Sequence, residues 1–317
     1  MFDVTTIGEG NIRLSVPIGK RINSADSFNL GISGAEGNVV GCLARLGYKT
    51  GWMSSLPNTP LGERVGDEYK RHGVNVEKII WSKEHRLATL FVEYAKPPRS
   101  TKVIYDRKNT CFTNIQKEDI DWDYILNTKI IHLTGITTAL SDNTREIVKE
   151  TIYKAHENDI PISFDINYRN ALWSKEEARE TIMPLVQNIE MLFCSKRDAE
   201  AIFNCKGTDD ETIRSLQKKT KAKKVVMSRG EKGVLGLMDD IVYEEPARDV
   251  AIVDRIGAGD GLVGGVLHGW LENDFAKGLK FGSLTAALAL SQYGEVVNTN
   301  VDELNRLLIN TDTSIVR

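Results

Sequence analysis

The stretch DRIGAGDGLVGG, residues 254–265, sets one acid, Asp260, among glycines between an apolar segment and a helix-like run. Residues 250–255 read as a strand, and GLVGGVLHGWL, from Gly261 onward, reads as a helix. A strand feeding a glycine turn and then a helix leaves backbone N–H groups unpaired at the first helical turn. Those groups and the helix dipole make an anion site. Gly257, Ala258 and Gly259 let a phosphate come close to the backbone. A carboxylate there repels an anion, so its presence implies a chemical role, that of accepting a proton from an attacking hydroxyl. Two readings compete. Asp260 also suits a helix cap in a tight turn. GDGLVG, residues 259–264, matches the dinucleotide pattern G-x-G-x-x-G. That fingerprint needs a second strand ending in an acid ~20 residues on, and the sequence continues instead through NDFAKGLKFGSLTAALALSQYG, another helical pattern. No GxxxxGK[ST] occurs, which leaves out a Walker-type site.

Upstream, apolar runs rich in β-branched residues recur at MFDVTTIG, KIIHLTGI, PISFDIN, MLFCS and KVVMSR, with helical patterns between several of them. Residues 142–158 show the pattern best. Ile147, Val148, Thr151, Ile152 and Ala155 form one stripe, with Ser141 or Asp142 as cap. Apolar runs without strict alternation predict strands covered on both faces, hence an α/β fold of three layers, α/β/α, around a mostly parallel sheet. Residues 12–33 and 86–108 alternate polar and apolar residues with no helix between LATLFVEYA and TKVIYDR. They predict antiparallel strands forming a small lid over the sheet's edge, within a single domain spanning 1–317. His132, in KIIHLTGI, reads as a packed strand residue.

The 317 residues suffice for a large core, and 41% hydrophobic with 27% charged residues describes an ordinary soluble chain. A net charge of −3 gives no sign of a nucleic-acid partner, and KKTKAKK, residues 218–224, reads as a solvated helix end. No apolar run approaches the ~18 residues that span a bilayer, so no membrane partner is expected. MFDVTTIGEG enters a strand pattern at once, without a signal peptide. Four cysteines without a CxxC pair read as reduced thiols of a cytoplasmic protein, and five scattered histidines offer no metal motif.

DRIGAGDGL resembles the C-terminal signature D-T-x-G-A-G-D-x-F of the ribokinase-like (PfkB) sugar kinases, with Arg255 for the usual threonine and Leu262 for the phenylalanine. SGAEGNVVGCLARLG, residues 33–47, resembles the N-terminal signature G-G-x-x-x-N-x-A-x-x-L-A-R-L-G. The two motifs stand in the family's order, and the resemblance spans essentially the whole chain. VIYDRKN (103–109), FDINYRNALW (164–173), CSKRDAE (194–200) and QYGEV (292–296) are similar to segments of the 2-keto-3-deoxygluconate kinase subgroup.

The resemblance implies an ATP- and Mg²⁺-dependent kinase with a ribokinase-like core, converting 2-keto-3-deoxygluconate to its 6-phosphate. Asp260 is then the general base, and the 257–260 backbone stabilises the transferred phosphoryl group. Gly34, Asn38, Tyr105, Arg107, Arg169 and Glu295 are implied sugar contacts. Asn167, Ser195, Ser228, Gly230, Gly233, Gly257 and Gly259 are implied nucleotide contacts, and Asp198 organises Mg²⁺ through water. Plainer roles stand beside these. Gly34 and Asn38 suit a turn and a helix start, Arg107 a solvated strand residue, and Arg169 a structural ion pair with Asp165. Residues 228–233, SRGEKG, suit a hairpin turn, and Asp198 an acid of a first helical turn. A homodimer or higher homo-oligomer through the lid is also implied. The competing functions are a fructokinase- or ribokinase-type kinase of a neutral sugar, and a non-catalytic sugar or nucleotide sensor.

Overall fold

Eight strands build the central sheet of the computed structural model, which describes residues 1–95 and 98–309. In chain order the strands are β1 (Phe2–Ile7), β2 (Asn11–Val16), β3 (Asn29–Ser33), β4 (Thr50–Met53), β5 (Ser55–Pro57), β6 (Ile80–Ser82) and β7 (Ala88–Glu93). They continue with β8 (Lys102–Asp106), β9 (Thr128–Thr134), β10 (Ile162–Asp165), β11 (Met191–Ser195), β12 (Lys224–Ser228), β13 (Val234–Met238) and β14 (Ile241–Glu245). The central order is β14-β13-β12-β11-β10-β9-β1-β4, parallel from β4 to β12 and closed at one edge by the antiparallel strands β13 and β14.

The parallel strands are apolar runs because helices cover both faces. β11 buries Met191, Leu192, Phe193 and Cys194 in succession, their side chains alternating between two core clusters. The helix Asp142–Glu157 shows how local sequence feeds this packing. Ser141 and Thr144 form a reciprocal capping pair, worth about 1 kcal/mol. The expected stripe from Ile147 to Ala155 is buried against the sheet. Each buried aliphatic side chain there contributes about 1.5–3 kcal/mol. His132 is likewise a packed strand residue, and burial pushes its imidazole down to about 3. All four cysteines are buried thiols.

A second sheet, β3-β2-β7-β8, is built from the two alternating segments. Two antiparallel hairpins are joined in parallel between β2 and β7, where the sequence alone predicts antiparallel strands throughout. This sheet looks onto the C-terminal ends of the central strands rather than onto an edge of the large sheet. A two-stranded parallel pair, β5 and β6, lies apart from both.

Two features of the decisive stretch differ from expectation. Residues 250–255 form no strand. The N–H groups of Val253 and Asp254 bond to the carbonyl of Leu290, at the end of the helix Phe275–Leu290, at 2.8 and 3.2 Å, instead of a neighbouring strand. The helix also begins at Ala258, not Gly261, because Gly257 takes the left-handed conformation (φ 91°) and serves as its N-cap. The hairpin β13–β14 is an element the sequence pattern does not single out.

Candidate active site

A cavity of about 460 Å³ opens where the C-terminal ends of the parallel strands meet the inner face of the small sheet. Ligand crevices of open α/β sheets lie at these strand ends. Asp260 projects from the first turn of the helix Ala258–Leu271, which no side chain caps. It is the third residue of that helix, so the reading of Asp260 as a cap does not hold. Gly257 is required by its backbone and by its neighbour: a Cβ there would lie 2.9 Å from the carbonyl oxygen of Glu295. Desolvation raises the Asp260 carboxyl well above the usual carboxylate range. A hydrogen bond from Asn38 opposes the shift, and the nearby Glu295 and Asp165 reinforce it.

Of the expected sugar contacts, Gly34, Tyr105, Arg107, Arg169 and Glu295 all line the cavity. A Cβ on Gly34 would come within 2.5 Å of the Glu9 carbonyl oxygen, so only glycine lets the first long helix start this close to the β1–β2 connection. Strand alternation puts Val103, Tyr105 and Arg107 on the cavity side, while Asp106 faces away and pairs with Arg86. Arg107 is not a solvated strand residue. It is buried and donates to Glu9 through Nε at 2.9 Å and Nη2 at 2.6 Å, with its guanidinium over the Tyr105 ring. Arg169 makes no ion pair within 4.0 Å among the described residues, so the structural pair with Asp165 does not form.

Two residues stand differently from expectation. Asn38 lies behind the cavity wall, 2% exposed, with its amide nitrogen spent on Asp260 at 2.7 Å and Glu295 at 3.0 Å. Glu295 touches the cavity, but both carboxylate oxygens are engaged, Oε1 by Arg13 and Oε2 by Ser33 and Asn38. Burial makes both groups part of the scaffold beneath Asp260.

Asn167, Ser195, Ser228, Gly257 and Gly259 share the cavity wall. A neighbouring groove shares Arg169, Ser195, Asp198 and Ser228 with it and extends along Arg229 and Gly230. Residues 228–233 are indeed a hairpin turn, between β12 and β13. Gly233 ends that turn outside the walls of cavity and groove. Ala258 contributes the first helical residue without lining the cavity.

Asp165, which the sequence suggests only as a partner for Arg169, ends β10 in the cavity wall. Burial holds its carboxyl up at about 7, against the pull of Arg169 and with the push of Asp198 and Glu36. Asp198 is raised too, chiefly by burial, and its N–H donates to the Ser195 cap. Glu9, Glu36 and Arg255 also line the cavity; Glu36 and Arg255 stand within the two signature motifs, though the sequence reading gives them no role at the site, and Glu9 lies outside both. The strand-end position of Asp165 in FDIN was the one available signal.

A model described as pfkB family carbohydrate kinase matches residues 1–300. The chain belongs to the pfkB family of carbohydrate kinases. It is therefore a phosphotransferase acting on an alcohol acceptor, which sets aside the sensor reading. This pfkB kinase is 34% identical over 316 residues to a 2-dehydro-3-deoxygalactonokinase of Haloferax volcanii, with 99% of each chain covered. It is 28% identical to a 2-dehydro-3-deoxygluconokinase of Bacillus subtilis, over 93% of this chain and 91% of the relative. Its fold superposes on the crystal structure of a 2-dehydro-3-deoxygluconokinase from Thermotoga maritima with a TM-score of 0.93, at 29% identity, covering 98% of this chain and all of that one. Among the described residues no helix is long and apolar enough to cross a membrane.

Proposed function

We propose that this kinase transfers the γ-phosphoryl group of ATP to the terminal hydroxyl of 2-keto-3-deoxygluconate, forming the 6-phosphate. The observation that carries this reading is the placement of Asp260 in a helical first turn that no side chain caps, in a cavity that also holds Arg169, which has no ion-pair partner among the described residues. Asp260 accepts the hydroxyl proton as the oxygen attacks, and its raised affinity for a proton makes it the stronger base. The N–H groups at 257–260 face the charge that spreads over the migrating phosphoryl oxygens. Arg169, a planar guanidinium in the cavity wall, suits a substrate carboxylate, and Tyr105 and Arg107 border the same space. The groove past Ser195, Ser228 and Gly230 suits the nucleotide.

Mg²⁺ fits the residues present. Asp165 and Asp198 are two hard oxygen donors with no Lys or Arg in ion-pair contact among the described residues. The buried Oδ1 of Asn167 has no hydrogen-bond partner among the described residues. Mg²⁺ commonly keeps several waters and takes phosphate oxygens beside one or two carboxylates, a demand that Asp165 and Asp198 meet. Bound with ATP, Mg²⁺ would neutralise phosphate charge.

The small sheet is read as a lid whose closure excludes water from the cavity. Its outer face carries Leu14, Leu30, Phe91 and Ile104 in register, with Phe28 stacked edge-on to Phe91. Leu30 and Ile104 are exposed there, which supports a homodimer formed through this sheet.

Initial rates of ADP release with a panel of sugars test the proposal. The highest kcat/KM is expected with 2-keto-3-deoxygluconate, and faster turnover of neutral hexoses overturns the carboxylate assignment. Its C4 epimer, 2-keto-3-deoxygalactonate, is the second reading, favoured by the Haloferax volcanii relative, and belongs in the same panel.

A further inference from the structure

Arg13 lies on β2 in the small sheet, yet its guanidinium is spent on carboxylates of the main body. It is 4% exposed and does not line the reaction cavity; it borders a separate space behind Glu295. Nη1 donates to Glu295 Oε1 at 3.0 Å, and Nη2 donates to Asp254 Oδ2 and to the Tyr94 hydroxyl. Tyr94 in turn donates to Asp254 Oδ2 at 2.7 Å.

Each carboxylate partner supports the reacting groups from behind. The other oxygen of Asp254 accepts from the N–H of Ile256 at 3.0 Å, shaping the turn that leads into Gly257. The other oxygen of Glu295 holds Asn38, and the same amide nitrogen of Asn38 holds Asp260. The backbone of Glu295 also packs against Gly257. Two buried carboxylates converging on one guanidinium are tolerable only while that cation is between them. A planar fork holds the two carboxylates on separate, fixed N–H groups, whereas an ammonium offers them a single point charge without that fixed geometry.

We propose that Arg13 is a positioning residue for phosphoryl transfer: it fastens the small sheet to the anion-binding turn and to the base, so that seating the sheet and aligning Asp260 are one event. This rests on the reading of Asp260 as the base. Contact between the sheet and the substrate is a separate role, carried by Leu90, Val103 and Tyr105 on the cavity side. A defect at Arg13 therefore appears in turnover rather than in affinity.

The test compares Arg13→Lys and Arg13→Ala with the parent at saturating sugar and ATP, with kcat normalised to the folded fraction measured by circular dichroism. Arg13→Lys keeps the charge and loses the fork. Its kcat is expected to fall by about 10²-fold, as for a misaligned reacting group, while KM for ATP stays within about twofold. Low millimolar guanidinium ion is expected to restore part of the kcat of Arg13→Ala. If Arg13→Ala does not fold, Arg13→Lys alone decides. A normalised kcat for Arg13→Lys within about twofold of the parent's, or a defect confined to KM for the sugar, overturns the inference. Asp260→Asn is assayed alongside. Turnover in that variant removes the base reading; an inactive Asp260→Asn beside a fully active Arg13→Lys removes this inference alone.

Discussion

The side-chain amide of Asn38 donates to the carboxylate of Asp260 at 2.7 Å, across 222 residues of sequence. The bond favours the charged form of a group that burial drives the other way. Removing the donor in Asn38→Ala is expected to raise the Asp260 carboxyl further. The acid limb of the kcat profile then moves to higher pH, and activity is lost more at pH 6 than at pH 9. A pH–rate profile with an unmoved acid limb contradicts the role given to this bond.

Asp260→Asn separates function from stability. With the proposed base gone, kcat is expected to fall by at least ~10³-fold with little change in sugar binding. The folded carboxyl holds its proton more tightly than the unfolded chain does, because burial outweighs Asn38. Its contribution to stability is thus full below the unfolded value, about pH 4, and lost as pH rises through the folded one. The variant is expected to melt higher than the parent at pH 8 and equally at low pH. Thermal unfolding at both pH values checks the sign.

Gly257→Ala places a side chain at φ 91°, 2.9 Å from the Glu295 carbonyl oxygen. Left-handed strain costs about 1–3 kcal/mol, and the close approach shifts the turn whose N–H groups are proposed to face the phosphoryl group. A lower melting temperature together with a lower kcat is the expected result, read by calorimetry and initial rates.

Arg169 lines the cavity without an ion-pair partner among the described residues. A charge-assisted bond to a substrate carboxylate is worth about 1.5–3 kcal/mol, so Arg169→Ala is expected to raise KM for a keto-deoxy acid by roughly tenfold or more. Neutral sugars are expected to be unaffected. Equal losses for both substrate classes would move Arg169 from the sugar to the nucleotide.

Much of the site was legible because its logic is local. A glycine turn feeding a helix is set by neighbouring residues alone, and Asp260, three residues beyond Gly257, falls in the first helical turn. Tyr105 and Arg107 follow from the family resemblance alone, and it is the folded strand that turns both to the cavity and Asp106 away from it. The capped stripe of the helix Asp142–Glu157 is equally local.

The sequence by itself therefore determined the family signatures and the α/β layering, and it singled out Asp260 as the acid of the glycine turn. Only the tertiary structure decided that residues 250–255 are no strand, because the acceptor for their N–H groups is the end of a helix at Leu290. It alone moved Asn38 behind the wall and joined Arg13 to Asp254 and Glu295, 241 and 282 residues away. Helix and turn propensities act over a few residues, whereas the pairing of a buried charge is set by whichever groups folding brings within contact, and sequence spacing carries no record of that distance.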